Sequence, residues 1–178
     1  MDLGVISVRY ARALLKSATE LKNADLVYQN MVSLSDCYIN VPSLRSTIDN
    51  PMLQRSKKLH LLTTALGQSP QQLSVRFLEL VLKEDRESAL QFMANSYITL
   101  YRQQKNITRG KLTTAVAVSD AVEQKMKQMV EAKTQGTVEF TTEVDPSIIG
   151  GFVLEYDTYR MDASVKTKLN RILSELKK

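Results

Sequence analysis

Residues 138–164 have the sequence VEFTTEVDPSIIGGFVLEYDTYRMDAS. On each side of a central turn, side chains suited to a buried sheet face recur at every second position, which is the period of a β-strand. They are Val138, Phe140, Thr142 and Val144 in the first run, and Phe152, Leu154 and Tyr156 in the second. Asp145-Pro146 favours a turn, because an aspartate side chain accepts hydrogen bonds from the N–H groups that follow it. The segment therefore predicts two strands joined by a tight connection.

Two adjacent glycines, Gly150 and Gly151, stand at the head of the second strand. Glycines at such a position indicate a backbone with φ above zero or a close approach of another backbone segment. A phosphate-binding loop is the functional alternative, but neither a helix start nor a lysine follows the glycines, as such a loop requires. We therefore favour the structural interpretation.

The rest of the C-terminal part, residues 106–178, completes a small mixed domain. Alternation over Lys111–Val118 predicts a strand, and Ser119 or Asp120 can cap a helix that ends at Gly136. A last helix is predicted to begin near Ser164. The predicted order is strand, helix, strand, strand, helix. A unit of this size is marginally stable alone, so we expect partners to steady it.

Residues 1–105 show the period of α-helices throughout, with apolar side chains three or four positions apart. Short connections favour antiparallel packing of neighbouring helices, so we predict an N-terminal bundle of six helices. The fold class is therefore mostly α with a small α/β part. The fifth helix, after Pro70, is apolar over more than half of its circumference. Such a helix is either central in the bundle or has a second apolar partner.

The composition excludes several kinds of active site. Among 178 residues there is one cysteine, Cys37, and one histidine, His60, so neither an intrachain disulfide nor a cluster of soft metal ligands is possible. We interpret both as ordinary helix residues and the charged group at 84–87, including Glu84, as a solvated helix cap. Without a nucleophile–base pair or a cofactor loop, we predict no catalytic residue, no metal and no cofactor, and hence no enzyme.

The net charge of +5 makes a nucleic-acid-binding protein the strongest rival interpretation. The nucleic-acid interpretation lacks support, because no basic stripe with interleaved aromatic residues occurs in the sequence. No apolar run approaches the roughly 18 residues of a membrane-spanning helix. Since the first residues also lack the apolar core of a signal peptide, we expect a soluble, cytosolic protein.

Four motifs in order resemble one family, the delta subunit of bacterial F-type ATP synthase, whose mitochondrial relative is the oligomycin-sensitivity-conferring protein. The motifs are Arg9–Leu14 (RYARAL), Asn50-Pro51 followed by Lys57, Phe77 through Arg86, and the C-terminal signature of Asp145, Gly150, Gly151, Asp162 and Ser164. The likeness covers essentially the whole chain. Two positions depart from the family pattern, because Asp157 and Ala163 stand where glycine is common.

The resemblance implies a non-catalytic subunit of the peripheral stalk, or stator, of a proton- or sodium-translocating F-type ATP synthase. Such a subunit clamps the catalytic head to the stalk so that rotary torque is coupled to ATP synthesis. Residues 1–105 would bind the N-terminal helix of the alpha subunit, and residues 106–178 the C-terminal ends of the stalk b subunits. The implied location is the cytoplasmic face of the bacterial cell membrane, through the complex and without insertion into lipid, and no nucleic acid is expected as a partner.

By the same resemblance, the alpha-subunit helix would lie in a groove between the first and fifth helices. We place this groove at six residues, for each of which an ordinary core position is the alternative. They are Tyr10, Ala13, Leu14, Phe77, Leu80 and Val81. The apolar excess of the fifth helix agrees with this placement, because an incoming helix would cover it.

Overall fold

The computed structural model describes residues 3–134, 136–156 and 158–176, which form eight α-helices and four β-strands. The chain divides into two compact units, Met1–Gln103 and Gln104–Lys178. The first is helical, and the second combines a four-stranded sheet with two helices. The prediction of a mostly helical protein with a small mixed C-terminal part is confirmed. Within the described ranges, no helix has both the length and the apolar character needed to cross a membrane.

Six α-helices follow one another from the N-terminus. They are α1 (Leu3–Glu20), α2 (Ala24–Asn40), α3 (Pro42–Ile48), α4 (Arg55–Ala65), α5 (Gln72–Lys83) and α6 (Leu90–Lys105), with a 3-10 turn at Glu87–Ala89 before α6. Pro42 occupies the first turn of α3, where a missing N–H leaves no intrahelical bond unmade. Gly67 follows α4 with φ 97°, a conformation that suits glycine at a helix end. The fifth helix begins at Gln72, two residues after the predicted start at Pro70.

The core of the first unit consists of one apolar stripe from each helix, because residues three or four apart lie on the same helical face. Its fully buried large side chains include Val27, Met31, Leu34, Ile48, Leu62, Leu66, Leu78, Leu90, Met93 and Tyr97. Tyr97 is the largest of these, and its hydroxyl donates a hydrogen bond to the carbonyl of Ala24. The phenol is therefore buried without losing its polar partner.

A buried asparagine, Asn30 of α2, holds the connection between α4 and α5. Only 5% of Asn30 is exposed. Its amide nitrogen donates to the carbonyls of Leu66 (3.1 Å) and Ser69 (3.2 Å). Its oxygen accepts from the backbone N–H of Gln71 (2.9 Å) and from the hydroxyl of Ser74 (3.0 Å). One side chain therefore fixes where α5 begins relative to α2.

The second unit is built around a mixed sheet. Its elements are β1 (Ile107–Thr114), α7 (Asp120–Thr134), β2 (Thr137–Val144), a 3-10 turn at Pro146–Ile148, β3 (Phe152–Tyr156), β4 (Tyr159–Asp162) and α8 (Val165–Leu176). The strand order is β2-β1-β3-β4, with β1 parallel to β2 and the other neighbours antiparallel. The core of this unit lies between α7 and the sheet. It consists of Val130 on α7 and Leu112, Val138 and Leu154 on the sheet.

The first strand lies four residues earlier than predicted, at Ile107–Thr114 instead of Lys111–Val118. The chain leaves the sheet after Thr114, whose hydroxyl donates to the carbonyl of Val116, and 71% of Val116 is exposed. The alternation continues to Val118 in the sequence, but the length of the neighbouring strand decides where pairing stops. Strand β2 pairs with β1 residue by residue over those eight positions.

Strand β4 is missing from the prediction, so the tail contains three strands after α7 instead of two. Tyr159–Asp162 pairs antiparallel with β3 at the edge of the sheet. All four of its residues are exposed. Tyr159 and Met161 do alternate with Arg160 and Asp162. The run is only four residues long and has no buried face, so it is too short to stand out from a loop. Asp157, one of the two departures from the family pattern, lies outside the described residues.

Candidate helix-binding groove

Helices α1 and α5 line an open apolar cavity of about 330 Å³. Its lining consists of Arg9, Tyr10, Ala13, Leu14 and Ser17 from α1, and of Leu73, Arg76, Phe77 and Leu80 from α5. We call this cavity the α1–α5 groove. Five of the six residues predicted for the groove are among these nine.

The spacing of the lining residues explains the shape of the groove. On α1 the residues follow the order i, i+3, i+4 and i+7 from Tyr10 to Ser17, and α5 repeats this order from Leu73 to Leu80. Each set therefore occupies one face of its helix. Ala13 and Ser17 are small, and 47% of Leu80 is exposed. Part of the broad apolar surface predicted for α5 therefore lies on this open face.

Val81 is the exception among the predicted groove residues. It does not line the groove and is completely buried in the core. Successive residues of a helix are rotated by about 100°. The position after Leu80 therefore faces the neighbouring helices, and the assignment of Val81 to the groove is corrected.

Tyr10 is held in the groove by two contacts. Its ring meets Phe77 edge to face, with the centroids 6.4 Å apart. The guanidinium of Arg86 lies 5.3 Å from the centroid of the Tyr10 ring, and its Nη1 donates to the Tyr10 hydroxyl at 2.7 Å. Arg86 lies three residues after the end of α5, so these contacts tie the segment that follows α5 to α1. The sequence pattern did not reveal this role of Arg86, because it joins residues 76 positions apart.

A larger concavity of about 580 Å³ lies on the sheet of the second unit and has a different character. Its charged lining includes Lys111 and Glu143, which form an ion pair at 2.5 Å, together with Arg109 and Glu155. The hydrogen bond from Lys111 to Glu143 raises the pKa of the lysine. A surface of mixed and already paired charge offers little to an apolar partner. The α1–α5 groove is therefore the better candidate for helix binding.

The comparison with known proteins identifies the family. Residues 6–176 match the model of the family described as ATP synthase delta (OSCP) subunit. The chain belongs to this family. It is 48% identical to the ATP synthase subunit delta of Phocaeicola vulgatus, over 97% of this chain and 94% of the relative. For the ATP synthase subunit delta of Parabacteroides distasonis the identity is 43%, over 99% of this chain and 98% of the relative.

A similar fold occurs in a cryo-EM structure of the Toxoplasma gondii mitochondrial ATP synthase hexamer. One of its chains matches with a TM-score of 0.66 over 97% of both chains, at 23% identity. That likeness concerns the fold alone. Membership of the delta (OSCP) family makes the chain a non-catalytic, structural and coupling subunit of F-type ATP synthase, and a peripheral part of that complex.

The C-terminal signature of this delta-family chain forms a structural joint between β3 and α8. Gly151 has φ 76°, and a Cβ atom there would lie 2.4 Å from the carbonyl oxygen of Ala163. The carbonyl of Gly150 accepts a hydrogen bond from the N–H of Val165, the first residue of α8. The structural interpretation of the two glycines is therefore confirmed, since one has a positive φ and both approach the start of α8 closely.

The polar members of the signature cap the two turns of this joint. Asp145 accepts hydrogen bonds from the backbone N–H and the hydroxyl of Ser147, which lower the pKa of its carboxyl group. Hydrogen bonds from Ser164, followed by that from Thr167, lower the pKa of Asp162. The Ser164 hydroxyl accepts from the N–H of Thr167, as the N-cap of α8. These residues shape the backbone and present no vacant site.

A second exposed apolar surface lies on α8. We call it the α8 face, and it comprises Val165, Leu169, Ile172, Leu173 and Leu176. Their side chains are between 37% and 78% exposed, and no residue of α8 is buried. The predicted amphipathic helix is present, and its apolar side is at least 37% exposed at each of these five positions. Such a contiguous surface is typical of a site for a protein partner.

The residues that were considered as candidates for catalysis or metal binding lie on different elements and do not form one site. His60 is exposed on α4, and Cys37 on α2 is half-buried with its sulfur 3.7 Å from the carbonyl of Ala65. Glu84 is exposed, and next to it Asp85 forms an exposed ion pair with Arg55. In the described part of the chain, no group of three histidine, cysteine or acidic residues could hold a metal ion.

Proposed function

We propose that this subunit is the clamp of the peripheral stalk. The six helices of the first unit act as one bundle, whose α1–α5 groove holds the N-terminal helix of the alpha subunit. The second unit holds the C-terminal ends of the stalk b subunits. The catalytic head is thereby kept from turning with the rotor, so that torque is used for ATP synthesis. The location that follows is peripheral, at the cytoplasmic face of the bacterial cell membrane.

The observation that carries the proposal is the open apolar groove between two helices that are tied together. An amphipathic helix binds such a groove by inserting side chains at positions i, i+3 or i+4, and i+7. Leu73 and Leu80 offer apolar surface for these side chains, and Ala13 leaves room for a close approach of the helix backbone. The contacts of Tyr10 with Phe77 and Arg86 keep the two walls in place before the partner arrives.

A stator clamp must release its partner slowly. A nanomolar Kd corresponds to about −12 kcal/mol, and with an association rate near 10⁶ M⁻¹s⁻¹ it gives a dissociation rate of about 10⁻³ s⁻¹. Enzymes typically turn over about ten times per second. The clamp would then survive thousands of catalytic cycles. A few apolar anchors buried in the groove are sufficient for such an affinity.

The α8 face supports the second half of the proposal. It is apolar along its whole length, while the remaining surface of α8 carries charged residues such as Arg171 and Glu175, which pair with each other. The end of a stalk helix with its own apolar stripe would bury both surfaces at once. Ile149 is a further exposed apolar residue of this unit, and it precedes Gly150, whose carbonyl accepts a hydrogen bond from the first residue of α8.

The first experiment is a calorimetric titration of the full-length chain with a peptide from the N-terminus of the alpha subunit of the same organism. We expect one peptide per chain and a submicromolar Kd that survives high salt, since most of the groove lining is apolar. Failure of the folded chain to bind would refute the assignment of the groove. If the chain instead bound nucleic acid with an affinity that fell steeply with salt, the rival interpretation would gain support.

The second experiment tests the α8 face. Ile172→Asn should weaken binding of a peptide from the C-terminal end of the stalk b subunit about tenfold, because it removes an apolar anchor from a protein interface. Ile172 is 52% exposed, so the unit should stay folded. The matched control is Ser174→Asn, near the opposite side of the same helix, which should bind like the unchanged protein. Equal affinity of the two variants would contradict the proposal.

A further inference from the structure

We propose that Arg9 and Arg76 select a groove partner whose helix carries carboxylates beside its apolar stripe. The inference rests on the proposed function of the α1–α5 groove and adds the chemistry by which the groove distinguishes one amphipathic helix from another. The apolar lining would accept many such helices. The two arginines give it a preference for an acidic one.

The position of the two arginines is the first observation. Arg9 on α1 and Arg76 on α5 line the groove from its two walls, and the other seven lining residues carry no charge. Both side chains are exposed. Within residues 3–134, 136–156 and 158–176, neither forms an ion pair. Their guanidinium groups are therefore available to a partner.

The charge of the two helices is the second observation. Helices α1 and α5 carry five cationic side chains but only two carboxylates. The cations are Arg9, Arg12, Lys16, Arg76 and Lys83, and the carboxylates are Glu20 and Glu79. The two helices that form the groove therefore carry a net charge of +3. This excess of positive charge favours the approach of an acidic helix and opposes a basic one.

Arginine suits this role because its planar guanidinium presents paired N–H donors that match the two oxygens of a carboxylate. When the apolar stripe of a helix enters the groove, the residues beside that stripe come to the walls where Arg9 and Arg76 lie. Charge pairs at such a rim contribute modestly to affinity, but they contribute to association rate, register and rejection of wrong partners. The inference therefore predicts aspartate or glutamate beside the apolar stripe of the alpha-subunit segment. A segment without any such residue would overturn it.

The test compares the full-length double variant Arg9→Gln/Arg76→Gln with the matched control Arg12→Gln/Lys83→Gln. The control removes the same charge from the same two helices at exposed positions outside the groove lining. With the alpha-subunit peptide at about 50 mM salt, the groove variant should bind about tenfold more weakly, and the control within about twofold of the unchanged protein. At about 500 mM salt the difference should shrink to about twofold, because screening weakens exposed charge pairs.

A variant of the peptide gives the same test without changing the protein. Replacing the carboxylates of the peptide by their amides should reproduce the loss seen with the groove variant, and combining both changes should add little to it. Equal binding of the groove variant and the control at low salt would overturn the inference. Complete absence of binding by the unchanged protein would instead refute the proposed function, so the two failures are distinguishable.

Discussion

Leu80→Asp is expected to weaken binding of the alpha-subunit peptide by at least about 2 kcal/mol, or about thirtyfold. Leu80 lines the open face of the groove, and an aspartate there would be desolvated by the incoming helix. Pairing of the new carboxylate with Arg76, one turn earlier on α5, would not restore binding. That pair would occupy a guanidinium that we assign to the acidic partner.

The variant should remain folded, because 47% of Leu80 is exposed and the core side chains of α5 are unchanged. Circular dichroism and urea denaturation check this point. The matched control is Leu61→Asp, which makes the same exchange at a 39% exposed position on α4, outside the groove lining. The control should bind the peptide normally. Normal affinity of a folded Leu80→Asp protein would show that the alpha-subunit peptide binds outside the α1–α5 groove.

Asn30→Ala is expected to destabilise the first unit by about 3 kcal/mol. The substitution removes four hydrogen bonds and leaves the carbonyls of Leu66 and Ser69 and the N–H of Gln71 without their partner. A buried group that loses its partner costs about 1–3 kcal/mol. Relaxation of the loop allows water to reach some of these groups. The total destabilisation is therefore smaller than the sum of the costs of four lost hydrogen bonds.

Urea denaturation measures this loss directly. The control is Asn40→Ala, at the exposed end of the same helix, which should change the free energy of unfolding by no more than about 0.5 kcal/mol. Because Asn30 fixes the start of α5, peptide binding by the variant should also weaken at temperatures where it remains folded. A destabilisation below about 1 kcal/mol would mean that the network contributes little.

The helices of the first unit follow from local pattern. Apolar spacing, Pro42 and Gly67 mark where elements lie and where they end, and each signal acts within a few residues along the chain. The same is true of the turn at Asp145 and of the two glycines before β3. Such features are predictable because the forces that produce them are local.

Elements that depend on distant partners were predicted less well. The end of β1 at Thr114 is set by pairing with β2, and β4 exists because β3 offers it an edge. The contact of Arg86 with Tyr10 joins two helices that are far apart in the sequence. The spacing of residues near these positions does not show where a strand stops, whether a four-residue edge strand forms, or which distant side chain meets another.

The groove depends both on local sequence pattern and on tertiary packing. The residues alone established the family, the amphipathic character of α1 and the apolar excess of α5, since these depend on residue type and spacing. Only the packing of α5 against its neighbours decided that Leu80 stays open to a partner while Val81 is buried. Adjacent positions on a broadly apolar helix are equivalent in the sequence. They differ only once the surrounding helices have covered one side of it.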